Sequence, residues 1–452
     1  MNKNDIITLH IDGVTSEGFG IGRHEGMVVF VPFTAIGDEA EVRIVKSVKS
    51  YCYGRVERLL MPSPDRCEPG CTVFGRCGGC TFRHISYEAE VRVKEEIIRS
   101  AFERIGGLEP EFLPLISTEN TERYRNKAQY PVGRDKDGHI ISGFFAPRSH
   151  RIIPSDECAL EPPLFREIRT FITDSCAELK ISPYNEEQHN GIIRHICLRR
   201  GHHTGEISAV LVVRKSVPEL KRLARTLTDR FPDIVSVYAN INPDRTNVIY
   251  GSEDILLRGK PVITDTMLGK SFEISPKSFY QVNTPMAERL YSEAAKLAQP
   301  AGKTLIDLYC GIGTVGLSMY DGTERLIGVE IVPDAVKNAR RNAELNNAEK
   351  AEFYEGDAGK VTTLLREKGI TADVVTVDPA RKGCDNRTLE NILAFSPERI
   401  VMISCDPATA ARDCGFLSQH GYRAVSVRGV DLFPRTVHVE TVVFMSREGQ
   451  RV

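Results

Sequence analysis

The chain lacks an excess of either charge and lacks long apolar runs, and each absence excludes something. With 59 lysines and arginines against 61 aspartates and glutamates, its formal net charge is −2. A nucleic-acid surface must therefore be a local patch rather than a property of the whole molecule. No run of about 18 apolar residues appears, so no membrane span is expected. The first residues, MNKNDIITLHIDG, hold no apolar core of the kind a signal peptide needs, and a cytoplasmic protein is expected. Twelve cysteines without an export signal do not suggest a disulfide scaffold. Four of them crowd between Cys67 and Cys80, a pattern that points to a metal site in a reducing compartment. At 452 residues the chain has room for two or three domains.

What is present is best read from the run VMISCDPATAARD, Val401 to Asp413. Residues 399–403 are apolar and β-branched, as in a buried parallel strand. Pro407 ends that strand and suits the first turn of a helix over 408–417. Cys405 is thereby predicted at the carboxyl edge of a central strand, just before a helix N-terminus. Open α/β sheets bind ligands there, and the helix dipole favours a thiolate. A buried, inert cysteine is the alternative this stretch leaves open.

Upstream, residues 303–316 (KTLIDLYCGIGTVG) read as strand, glycine turn and helix, with Gly311 and Gly313 letting the backbone approach a ligand. A second strand, 325–329, ends in Glu330 about twenty residues on, where a carboxylate reaches the ribose hydroxyls of a nucleoside. Asp357, in FYEGDA, follows a third strand and could reach the adenine. The turn is not the G-x-G-x-x-G that precedes a pyrophosphate, and its form is that of S-adenosylmethionine enzymes. Further βα units follow: ADVVTVDPAR, which ends at Asp378, then the Cys405 strand, then YRAVSVRGVDLFP and HVETVVFMSR.

The first sixty residues alternate short β-prone runs with glycine turns, which suggests a small antiparallel barrel. Lys46, Lys49, Arg55 and Arg58 beside Tyr51 and Tyr53 suit a backbone grip with base stacking. Cys71, Cys77 and Cys80 then stand six and three residues apart, and can wrap one metal centre as zinc or as a [4Fe–4S] cluster. The spacing is not that of radical enzymes, and the fourth ligand is open between Cys67 and Cys158. An amphipathic helix is predicted near 88–105, with Val91, Val93, Ile97, Ile98, Ala101, Phe102 and Ile105 as its stripe and with the catalytic domain as its packing partner. Residues 110–275 read as a β-rich domain whose strands include KAQYPVG, HIISGFFA, IIRHICLRRG, ISAVLVVRK, IVSVYANI and NVIYG. Two basic clusters in it, 124–127 and 194–203, suit a shared phosphate-contacting surface.

A cysteine at a methyltransferase sheet edge has a chemical use. Uracil C5 is a poor nucleophile, but a thiolate adding at C6 makes an enolate that attacks a methyl sulfonium through C5. A base must then remove the C5 proton. Cys405 is the nucleophile and Glu440, a carboxylate within the apolar run HVETVV, is the base. Asp378 ends the neighbouring strand and can contact base or cofactor. Amino-group methylation usually shows Asn/Asp-Pro-Pro-Tyr, and Asp378-Pro379-Ala380-Arg381 has no such aromatic.

The barrel run GFGIGRHEGMVVFVPFTAIGDEAEVRI resembles the TRAM domain, an RNA-binding barrel. Together with FYQVNT, DLYCGIGTVGL, VDPARKG, SCDPATAARD and HVET, nearly the whole chain resembles the RNA (uracil-5-)-methyltransferase family, nearest its iron–sulfur branch acting on 23S ribosomal RNA. The resemblance implies that Gln281, Tyr309, Thr314, Glu330, Asp357 and Asp378 bind S-adenosylmethionine, with Gly311 and Gly313 in the turn. It makes Cys405 the nucleophile and Glu440 the proton acceptor. Cys71, Cys77, Cys80 and Cys158 would hold a [4Fe–4S] cluster with no redox duty, Cys67 being an extra thiol nearby. The fold expected is α/β: a TRAM barrel (1–61), a central α+β iron–sulfur domain (62–270) and a seven-stranded Rossmann-like methyltransferase domain (271–452). The expected partner is 23S rRNA, with no membrane and no obligate protein partner. The alternatives are the same chemistry on a transfer-RNA T-loop, whose enzymes often lack barrel and cysteine cluster, and a non-catalytic RNA-binding or assembly factor. Cys405, Glu440 and Gln281 together speak against the last.

Overall fold

A computed structural model describes residues 1–155 and 157–449. Three large sheets build the fold, and they follow one another along the chain except for one early strand of the third, Glu111–Ile116. The first has six strands between Ile6–His10 and Tyr51–Met61. It curls back on itself where Asp12 N–H donates to Ile21 O (2.9 Å), and Leu9, Ile11, Val29, Val31, Val42 and Ile44 fill its interior. Alternation of buried and outward residues along Ile6–His10 and Glu39–Ser47 is what lets so short a segment enclose a core.

The middle sheet has seven strands, ordered from Ile152–Pro154 through Ile140–Phe145, Lys127–Arg134, Ile193–Arg200, Ile207–Val213 and Ile234–Ile241 to Glu253–Gly259. Helices Pro163–Glu178 and Glu219–Arg230 cover one face, where Phe165, Ile168, Leu220 and Leu223 pack on Ile196, Leu198 and Leu211. The run NVIYG, predicted as a strand, is not one. Asn242 Nδ2 donates to the Val248 and Ile249 carbonyls and Asn240 Nδ2 to that of Gly251, so side chains replace a ladder partner there. The edge strand is the next run, Glu253–Gly259.

The third sheet runs Ala351–Glu355, Arg325–Glu330, Thr304–Leu308, Val374–Val377, Arg399–Ser404, Glu440–Arg447, Tyr422–Val430 and finally Glu111–Ile116. Only Glu440–Arg447 runs against its neighbours. The sequence predicts seven strands, whereas this sheet holds eight among the described residues, because Glu111–Ile116 adds parallel to Tyr422–Val430. The helix Tyr87–Ala101 packs on the same sheet and continues as a π-helical turn, Phe102–Gly106, which stops at Gly107 in a left-handed conformation (φ +62°). Its inward face differs from the predicted stripe: Glu90 and Lys94 are fully buried and Ile105 is exposed. No helix among the described residues is long and apolar enough to cross a membrane.

Candidate active site

The strand Arg399–Ser404 delivers Cys405 to the carboxyl edge of the sheet, and Asp406 caps the helix Pro407–Ser418 by accepting from Ala408 N (3.0 Å) and Thr409 N (3.2 Å). Ser404 pairs with Thr441 on the antiparallel neighbour, so Cys405 and Glu440 are the next residues outward on adjoining strands. On the other side, Asp378 directly follows Val374–Val377. Cys405, Glu440 and Asp378 therefore occupy three adjacent strand ends.

This edge carries more acid than base. Burial, and then the charge of Asp378, push Glu440 up to about 8, while Arg381 acts the other way. Burial and then Asp307 push Asp378 up to about 7. Asp307, buried beneath, accepts from Gly316 N (2.9 Å) and the Thr376 hydroxyl (2.8 Å), and burial pushes it up to about 7 as well. The sequence predicts a thiolate favoured by the helix dipole. Instead, burial, Glu440 and Asp378 outweigh Arg381 and push the Cys405 thiol up to about 11. At rest Cys405 is a thiol.

The glycine turn lies on the neighbouring strand ends. Tyr309 (φ +63°), Gly311 (φ +56°) and Gly313 (φ +86°) all take left-handed backbone after Thr304–Leu308, and a helix starts at Thr314. Glu330 accepts from Gly311 N (3.0 Å) and Val332 N (2.8 Å), which fixes the carboxylate against the turn. Asp357, beyond the next strand, caps the helix Ala358–Glu367 through Lys360 N (3.1 Å). The Gln281 and Thr314 side chains meet at the buried hydroxyl of Tyr291, which also feels the charges of Asp378 and Glu440. Sequence reasoning missed Tyr291, since in TPMAERLYSEAAKLA it is one apolar position of an ordinary core helix. Tyr309 is not in that group. Its hydroxyl stands beside Thr388 and Cys384 instead.

Cys405 opens on a cleft of about 960 Å³ that three parts of the chain enclose. Arg381, Asp406 and His438 come from the catalytic edge, Arg104 from the π-helical turn, and Thr15 and Ile21 from the first sheet. The barrel thus lines the same cleft as the thiol.

The loop cysteines precede the helix Tyr87–Ala101 and do not line that cleft. Gly78 N donates to Phe145 O (3.3 Å), and Cys71 and Cys77 pack on Val73, Ala146 and Ile153. Burial pushes the Cys80 and Cys158 thiols up to about 12, and Cys77 and Cys71 add their charge to Cys80 as Cys80 and Cys77 do to Cys158. Cys67 stands apart, exposed, with its Sγ on Arg83 O (3.5 Å). Among the described residues no three His, Cys, Asp or Glu side chains stand close enough to hold a metal ion. The four thiols are neighbours in the structure but do not form a ready-made ligand set.

Fold and strand-edge site together define an α/β methyltransferase with an N-terminal RNA-binding barrel. Residues 86–448 match the family model described as tRNA (uracil-5-)-methyltransferase, and residues 2–56 match that of the TRAM domain. The chain is 41% identical to an uncharacterised RNA methyltransferase of Halalkalibacterium halodurans (98% of each chain covered) and 39% identical to one of Clostridium tetani (100% and 98%). The solved structure of the Pyrococcus abyssi tRNA (uracil-54, C5)-methyltransferase with S-adenosyl-L-homocysteine matches at TM-score 0.77 and 27% identity, over 97% of this chain and 100% of that one. This chain belongs to the tRNA (uracil-5-)-methyltransferase family and is an S-adenosylmethionine-dependent RNA methyltransferase carrying a TRAM domain.

Proposed function

We propose that the protein methylates C5 of a uridine in folded RNA through a covalent adduct on Cys405. The observation that carries this is the row Cys405, Glu440 and Asp378 on three adjacent strand ends, with Cys405 facing an open cleft. Cys405 passes its proton to water in the open cleft and its sulfur adds to C6, so that the C5=C6 electrons pass to the C4 oxygen as an enolate. The bound cofactor supplies an electrophilic methyl group, which C5 takes up. Glu440 in its carboxylate form then accepts the C5 proton, the C5=C6 bond returns, and Cys405 leaves as the thiolate. Gln281, Thr314, Glu330 and Asp378, with the turn at Tyr309, Gly311 and Gly313, would hold the cofactor, and Asp357 lies at the edge of that set. Tyr291 keeps Gln281 and Thr314 in place.

For the substrate we propose 23S ribosomal RNA, on the cysteine loop. Cys71, Cys77, Cys80 and Cys158 would hold a [4Fe–4S] cluster of structural duty. Zinc, with bonds near 2.3 Å, would bring its sulfurs to about 3.8 Å from one another. A uridine of the tRNA T-loop is the second reading. The likeness to the Pyrococcus abyssi tRNA enzyme spans 97% of this chain, barrel included, so the barrel does not separate the two substrates. The test is mass mapping of 23S and transfer RNA after incubation with methyl-labelled cofactor, beside Cys405→Ala. Label at C5 of 23S uridines that vanishes in the variant is expected. Label confined to transfer RNA selects the second substrate, and label that survives Cys405→Ala overturns the covalent mechanism.

A further inference from the structure

The middle sheet turns one face to its helices and carries charge on the other. Along Ile193–Arg200, Ile196 and Leu198 point to the helices, so Cys197 and Arg199 take the opposite side. Register sets Lys127 and Ser208 directly beside Arg199 on the two neighbouring strands. Arg199 is only 6% exposed, yet neither Nη1 nor Nη2 has a hydrogen-bond partner among the described residues, and neither has Ser208 Oγ.

Among the described residues no counter-ion answers these cations. The groups acting on Arg199 are Tyr250, Tyr280 and Cys197, and those on Lys127 are Arg199, Cys197 and Arg125, none of them a carboxylate. Burial pulls Arg199 down to about 10, and burial with the Arg199 charge pulls Lys127 down to about 8. A buried guanidinium with no acceptor is costly, and native proteins rarely leave one. Its neighbour in the same basic cluster is satisfied: Arg194 donates to the carbonyls of Asn242, Asp244 and Thr246. Between Lys127, Arg199, Ser208, Tyr250 and Ser275 lies a pocket of about 10 Å³, space for one oxygen atom.

We propose that Arg199, Lys127 and Ser208 bind one backbone phosphodiester of the RNA, a non-bridging oxygen entering the pocket between them. Two donors of the guanidinium and the Ser208 hydroxyl suit that oxygen, and a phosphate supplies the missing charge. The position has a use. Asn126, next to Lys127, donates from Nδ2 to Gln281 O (2.9 Å) and from its backbone to Val282 O (2.8 Å). A phosphate held there fixes the register of the RNA against the segment that carries Gln281, without reading its sequence.

The inference rests on the RNA-substrate reading, and binding rather than turnover tests it. The whole chain, its Arg199→Met and its Lys127→Met variants are titrated against a fluorescein-labelled RNA hairpin over a range of salt, alongside thermal melting and cofactor binding. Each variant is expected to bind the hairpin about tenfold more weakly, the equivalent of one charge-assisted hydrogen bond. Its slope of log affinity against log salt should fall by about 0.7 to 1. Cofactor affinity should stay the same, and the melting temperature should hold or rise, since an unpaired buried cation has been removed. Equal affinity and slope in folded variants overturn the proposal. So does stabilisation of the wild type by inorganic phosphate, lost in Arg199→Met, with hairpin binding unchanged, which would mark a free-anion site. A wild type that binds no hairpin overturns the substrate reading together with this one.

Discussion

Lys94 Nζ donates to Asp431 Oδ1 at 2.8 Å, and neither side chain has any exposed surface. The same ammonium reaches Glu90 Oε1 at 2.7 Å, and Tyr87 OH donates to Asp431 Oδ2 at 2.9 Å. This network joins the helix that follows the cysteine loop to the segment 431–439, whose end delivers Glu440. A charged triad so far from water adds less stability than its distances suggest, but removing one partner strands the others. Lys94→Met is therefore expected to destabilise the protein by about 3–5 kcal/mol, read from denaturant unfolding. A change within about 0.5 kcal/mol, the range of a surface substitution, would show that the triad is not holding the two parts together.

Glu440→Gln separates the two halves of the proposed reaction. The thiol of Cys405 can still add to C6 and C5 can still be methylated, but the C5 proton has no acceptor, so the sulfur cannot leave. A protein–RNA adduct carrying the transferred methyl is expected to accumulate, visible by denaturing gel and intact mass. Cys405→Ala should give none. In the wild type the base is held up to about 8, so release of product in a single turnover should quicken as pH rises towards that value. A rate that falls across the same range would be incompatible with Glu440 as proton acceptor.

Much of this site was legible because its residues lie where a pattern changes. Cys405 and Glu440 each sit at the end of an apolar run, and a strand end in an α/β sheet is where chemistry collects. Three features were not legible. Glu111–Ile116 (EFLPLI) is short and contains a proline, and its place at the sheet edge depends on a partner strand some three hundred positions away. Glu90 and Lys94, spaced i and i+4, look like a solvated pair on a helix face, and only Asp431 explains their burial. Tyr291 earns its position from what surrounds it in space, Gln281, Thr314 and Asp378, none of which is its sequence neighbour.

The cluster of raised acids makes a statement about stability. Asp307, Asp378 and Glu440 hold their protons to about 7, 7 and 8 when folded, whereas an unfolded chain releases them near pH 4. Between these limits the folded state binds more protons, so stability falls as pH rises through the window. The urea midpoint of the protein without cofactor or RNA is expected to decline from about pH 5 to about pH 8, and Asp378→Asn should flatten part of that slope. A midpoint that climbs over this range would mean that these carboxyls are ionised in the folded protein.

Cys67 and Cys158 were the two candidates for the fourth cluster ligand, and their surroundings now differ. Cys158 is half-buried and shares its charge environment with Cys80 and Cys77, whereas Cys67 is exposed and bonded to Arg83 O. A thiol that must meet three others around one cluster has to be on their side of the loop. Anaerobically prepared Cys158→Ser is therefore expected to lose most of its iron and sulfide and the broad visible absorbance of a [4Fe–4S] centre, while Cys67→Ser keeps both. The loop it closes packs between the middle sheet and the helix Tyr87–Ala101, so Cys158→Ser should also melt at a lower temperature than Cys67→Ser. Loss of iron in Cys67→Ser with retention in Cys158→Ser would reverse the assignment. A wild type purified without oxygen and free of iron would remove the cluster from the proposal altogether.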